Sequence, residues 1–150
     1  MAVTVYREYR LKVYLNARHF VIFQGNAGDI HPHTWEFSLT IRLGRTAFTQ
    51  FGTFEKCVQE ILSPYQNRLL NECAPFDVLI PTLEQLAETF SEEFYTRLEA
   101  IGGELTRVEV SETPTRSYIL DLSGTHRART EQLEKRMLAD MADRVLEEIL

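Results

Sequence analysis

The chain has 150 residues, 44% hydrophobic and 25% charged, which is enough apolar material for a compact domain and the wrong balance for a disordered one. Its net charge of −6 and pI of about 5.2 argue against nucleic acid or an anionic membrane surface as partner. The opening stretch MAVTVYREYRLKVYL carries charges every few positions, so it does not read as a signal peptide, and no apolar run approaches a membrane span.

Strict alternation marks the first element. Val3, Val5, Tyr9, Leu11, Val13, Leu15, Ala17, His19, Val21 and Phe23 share one parity, while Glu8, Arg10, Lys12, Asn16 and Arg18 take the other. A period of two predicts a half-buried strand, or two strands in sequence. The segment Gln24-Gly-Asn-Ala-Gly-Asp29 then reads as a turn or loop. A second alternating run follows, with His31, His33, Trp35, Phe37, Leu39, Ile41 and Leu43 on one face, and the pair predicts an antiparallel hairpin.

After Gly52 the period changes. Phe54, Val58, Ile61 and Leu62 predict a short amphipathic helix stopped at Ser63-Pro64. Thr82-Leu-Glu-Gln85 has the spacing of a capping box and opens a second helix. Its stripe runs through Leu83, Leu86, Ala87, Phe90, Phe94, Leu98 and Ile101 to Gly102-Gly103. Strands are expected near 104–112 and 116–122, then a helix from about Thr130 to Leu150 whose stripe is Leu133, Met137, Met141, Val145 and Ile149. That stripe is expected to pack on the protein's own body or on a neighbouring subunit. The order ββααββα predicts an α+β fold with an antiparallel sheet, a domain over 1–125 and a helical extension over 126–150.

Cys57 falls on the stripe of the first helix and Cys73 in the loop LNECAPF. They form no CxxC pair and read as reduced thiols of a cytoplasmic protein. The histidines carry more. His31 and His33 are two apart on a strand, so both leave one face, and His19 has the matching parity on the strand before. Three imidazoles gathered this way suit zinc with a fourth position open, and Val21, Trp35 and Phe37 would wall that position. Spacing alone also allows ordinary hydrogen-bonded or surface histidines. The fourth histidine, His126, reads as structural or exposed. Glu112 continues the inward parity of Val108 and Val110, so its carboxylate needs donors: Arg116, or the N–H groups of a bound heterocycle.

Taken in order, Ala17-x-His19, His31-Pro-His33, a helix start containing Gly52, Leu70-Asn71, Pro81-Thr82-Leu-Glu84-Gln-Leu86-Ala87 and Val110-Ser-Glu112-Thr113-Pro114 form a pattern. It resembles the 6-pyruvoyltetrahydropterin and 6-carboxytetrahydropterin synthase family over about residues 5 to 122. The resemblance implies the tetrahydropterin-synthase-like T-fold: a four-stranded antiparallel sheet with two helices between strands 2 and 3, here with an extra C-terminal helix. It implies a homo-oligomer, a trimer or hexamer. It further implies that His19, His31 and His33 bind Zn2+, and that Glu112 with Thr113 anchors a pterin, whose adjacent N–H donors suit a carboxylate.

The family's proton relay is missing. The stretch before His31, where a cysteine is usual, reads Gln24-Gly-Asn-Ala-Gly-Asp29, and Gln66-Asn67 stands where Asp-His is usual. Neither Gln nor Asn is an acid or base near neutral pH. Pro32 replaces the usual small residue between the histidines. Asp29 is the one titratable group close in sequence, a candidate base in place of the cysteine. The expectations are therefore an enzyme acting on a reduced or dihydro pterin through zinc and Asp29, or a non-catalytic zinc- and pterin-binding or assembly protein on the same fold.

Overall fold

A computed structural model describes residues 2–44 and 49–149, the side chains of 126–130 excepted. The strands β1 (Glu8–His19), β4 (His31–Leu43), β5 (Gly103–Thr113) and β6 (Arg116–Asp121) form one antiparallel sheet in the order β1-β4-β5-β6. The helices α1 (Phe51–Leu62) and α2 (Leu83–Ala100) lie between β4 and β5 in sequence and cover one face. A long helix, α3 (Thr125–Ile149), closes the described chain.

The sheet's buried face is the parity read from the sequence. Leu11, Val13, Leu15 and Ala17 of β1 face Leu39, Phe37, Trp35 and His33 of β4 across the ladder, and all the apolar ones are buried. Against them α1 sets Phe54, Val58, Ile61 and Leu62, and α2 sets Leu86, Ala87, Phe90, Phe94 and Leu98. Phe37 meets Phe90 and Phe94 edge-on at 5.7 and 5.8 Å. Thr82 caps α2 as expected, its Oγ1 accepting from the Gln85 N–H at 3.1 Å.

Several expectations need correction. The first strand is shorter than its alternation: Val3 and Val5 are exposed and precede β1, and Phe23 is 73% exposed beyond it. The segment after His19 leaves the sheet and folds on itself as a small hairpin, β2 (Ile22–Phe23) with β3 (Asn26–Ala27). Gln24 and Gly25 form its two-residue turn, both with positive φ, as an I′ hairpin turn demands. Helix α1 begins at Phe51, before Gly52, and α3 begins at Thr125. The α3 stripe does not pack on the body of the chain: Leu133, Met137, Met141, Val145 and Ile149 are all more than half exposed. The side chain of His126 lies outside the described residues. No described helix is long and apolar enough to cross a membrane.

Two β-bulges adjust β5. One falls opposite Thr40/Ile41, so that the inward parity moves from Gly103 and Leu105 to Val108 and Val110. The other lies between Ser111 and Thr113, which pair with the adjacent residues Ser117 and Arg116, and it leaves Glu112 as the extra residue.

Candidate metal centre and adjoining pocket

The register of β1 against β4 builds the site. His19 pairs directly with His31 and Ala17 with His33, so three imidazoles meet at the end of the hairpin, with ligating atoms all within 4.8 Å of one another. His19 is buried, 1% exposed, and its ring lies edge-on to Trp35 with centroids 4.9 Å apart. The His31 and His33 rings are 4.8 Å apart, and that of His33 is 5.1 Å from His19.

Backbone carbonyls fix two of the rings. Nδ1 of His19 lies 2.7 Å from the Pro81 carbonyl oxygen, and Nδ1 of His31 lies 2.9 Å from that of Asp29. A carbonyl can only accept, so both Nδ1 atoms carry the hydrogen and both Nε2 atoms of the neutral rings are bare. These two Nε2 atoms face each other at 2.8 Å. Two lone pairs held that close repel unless a cation, a proton or a metal ion, lies between them. The third ring, and the carbonyl contacts typical of metal-bound histidines, give the cluster the donor set of a tetrahedral site with one open position. Burial lowers the pKa of His19 from the ordinary 6.5, partly opposed by the Pro81 carbonyl, and so favours the neutral ring that a metal ion needs.

The loop after α1 holds this end of the hairpin in place. Asn71 Oδ1 accepts from the Phe20 N–H at 2.9 Å and its Nδ2 donates to the Phe20 carbonyl at 3.0 Å, one residue past His19. The Asn67 N–H donates to the Asn16 carbonyl and the Arg18 N–H to the Arg68 carbonyl, covering the free edge of β1. Gln66 extends that cover with its side chain: Oε1 accepts from the Asn16 N–H and Nε2 donates to the Tyr14 carbonyl.

Glu112 stands beside the cluster. Its Oε1 accepts a hydrogen bond from the indole Nε1 of buried Trp35 at 3.2 Å and lies 4.0 Å from His19 Nε2. The donor is thus Trp35, and no ion pair with Arg116 forms. Glu112 and Thr113 line a cavity of about 450 Å³ with Val21, Thr82 and Arg116. A second cavity, of about 510 Å³, opens beside His33, with Asn67 and Arg18 in its wall. Asp29 is exposed and meets the cluster through its backbone carbonyl. Phe37 belongs to the aromatic core rather than to the site wall. Cys57 is buried, and Cys73 Sγ is 3.5 Å from the Leu69 carbonyl oxygen.

The sequence singled out the three histidines, which the structure brings together, and Glu112 with Thr113, which line the cavity beside them, but not the contacts that hold them. Trp35 was readable only as an apolar wall, and Asn71 only as part of a motif. The Pro81 carbonyl carries no side-chain signal at all.

The sheet, the two covering helices and the histidine cluster define a T-fold domain with a site able to hold a metal ion. Residues 8–122 match the family described as 6-pyruvoyl tetrahydropterin synthase, and the chain belongs to that family. Its fold is similar to that of the Caenorhabditis elegans 6-pyruvoyl tetrahydropterin synthase, with a TM-score of 0.65 at 15% identity over 81% of this chain and 99% of that one. The Plasmodium falciparum 6-pyruvoyl tetrahydropterin synthase gives 0.62 at 13% identity, over 78% and 98%. That of Plasmodium vivax gives 0.56 at 16%, over 76% and 97%. No curated protein matches the sequence.

Proposed function

We propose that this protein binds zinc through His19, His31 and His33, and binds a reduced or dihydro pterin beside it through Glu112 and Thr113. The observation that carries the reading is the pair of bare Nε2 atoms facing each other at 2.8 Å next to a carboxylate held by Trp35. In this reading Glu112 takes the pyrimidine edge of the pterin, whose ring and exocyclic N–H groups match two carboxylate oxygens. Trp35 occupies one acceptor direction of Oε1 and leaves the rest of the carboxylate to the ligand. Zinc, when bound, acts as a Lewis acid toward a hydroxyl or carbonyl of the pterin side chain. The reading makes the protein a cytoplasmic homo-oligomer, a trimer or hexamer, with its thiols reduced.

The standard synthase reaction is not part of this reading. No cysteine precedes His31, and the Gln66 amide is spent on the backbone of β1. The test uses the full chain loaded with zinc. About one zinc per chain and pterin binding that weakens in His19→Ala are the expected results. A protein that retains no zinc, or pterin binding indifferent to His19→Ala, would overturn the proposal.

A second reading is turnover with Asp29, two residues before His31, as the proton-transfer group. It requires product from dihydroneopterin triphosphate or dihydroneopterin, lost in Asp29→Asn. No product from either with zinc fully loaded would leave binding as the function.

A further inference from the structure

The exposed stripe of α3 lies outside the residues that match the family, and neither the sheet nor the histidine site uses it. Leu133, Met137, Met141, Val145 and Ile149 recur every four residues, with Leu138 and Leu146 widening the stripe, and all are 54–75% exposed. A band of this kind in water requires a partner.

The charges of α3 identify the partner. By sequence its N-terminal half carries Arg127, Arg129, Lys135 and Arg136 against Glu131 and Glu134, and its C-terminal half carries Asp140, Asp143, Glu147 and Glu148 against Arg144. The first turn has no acidic residue and the last turn no basic one. This polarity opposes what stabilises a lone helix, because cations belong at the negative C-terminal end of the helix dipole and anions at the positive N-terminal end. A second helix lying antiparallel reverses the cost. It sets each basic half beside an acidic half and each N-terminus beside a C-terminus.

We propose that α3 pairs antiparallel with the α3 of a second copy of this chain, about a two-fold axis at Met141. The ladder is centred on that residue, so the axis places Met141 opposite itself with Met137 and Val145 beside it. Leu133 and Ile149, each about 80° round the helix from Met141, lie at the flanks of the seam. Such an interface is isologous and closes at two copies of α3.

The test is made on the full chain carrying Cys73→Ser, with Cys57 buried. Met141→Cys is expected to form a disulfide-linked dimer under mild oxidation, far faster than Leu133→Cys or Ile149→Cys, each of which lies about 12 Å along the helix from the axis. Met141→Asp, exposed and so compatible with folding, is expected to lower the mass measured by light scattering. Self-crosslinking at Leu133→Cys and Ile149→Cys as fast as at Met141→Cys would show a parallel pair and overturn the proposal. An unchanged mass for Met141→Asp together with no crosslink at Met141→Cys would do so too.

Discussion

His19 and His31 sit directly opposite each other on β1 and β4, with Nε2 atoms 2.8 Å apart and each Nδ1 committed to a backbone carbonyl. The backbone therefore sets the protonation of both rings and leaves their lone pairs converging. A site preset in this way is able to hold a cation without first reorganising its ligands.

The Asn71 side chain replaces a missing strand for Phe20, satisfying both its N–H and its carbonyl. Asn71→Ala leaves both groups without partners and is expected to cost about 1–3 kcal/mol of stability. Urea unfolding measures the loss. Zinc affinity is expected to fall in the same variant, because Phe20 follows His19.

Glu112→Gln removes the charge offered to a pterin while keeping nearly the same shape. Hydrogen bonds to a charged group contribute about 1.5–3 kcal/mol, so pterin affinity is expected to fall by about 10- to 100-fold. Zinc content is expected to stay near the wild-type value, since Glu112 is not among the three ligands. Equal pterin affinity in the two proteins would place the ligand elsewhere.

The pH dependence follows from burial of His19. Its folded pKa is lowered from the ordinary 6.5, chiefly because burial disfavours the charged ring. Below pH 6.5 the unfolded chain takes up a proton that the folded chain resists, so stability falls as pH falls, until the folded pKa is passed. For the metal-free protein, thermal melts from pH 7.5 downward are expected to show a declining Tm that starts near pH 6.5. His19→Gln is expected to flatten that decline.

Gly103 leaves no room for a side chain where β5 begins. A Cβ there would lie 2.7 Å from Phe54 Cε1 and 2.8 Å from Ile41 Cγ2, both buried. Gly103→Ala is expected to destabilise by about 1–3 kcal/mol through overpacking, read as a lower denaturation midpoint with zinc affinity unchanged.

The sequence carried the sheet faces, the two covering helices and the three histidines, because each rests on a local period that burial enforces. Residues two apart on a strand share a face in any fold, so His31 and His33 had to point together. It did not determine where those periods end: Val3, Val5 and Phe23 keep the alternation but lie outside β1.

The chemistry around the histidines came from the packing of distant elements. The Pro81 carbonyl on His19, the Trp35 indole on Glu112 and the Asn71 amide on Phe20 join residues distant in sequence. The bulge that makes Glu112 the extra residue of β5 is set by pairing with β6. Such contacts depend on how elements pack, which no period records. The three-histidine cluster was legible as a spacing, whereas its fixed tautomers and the carboxylate beside it come from long-range packing.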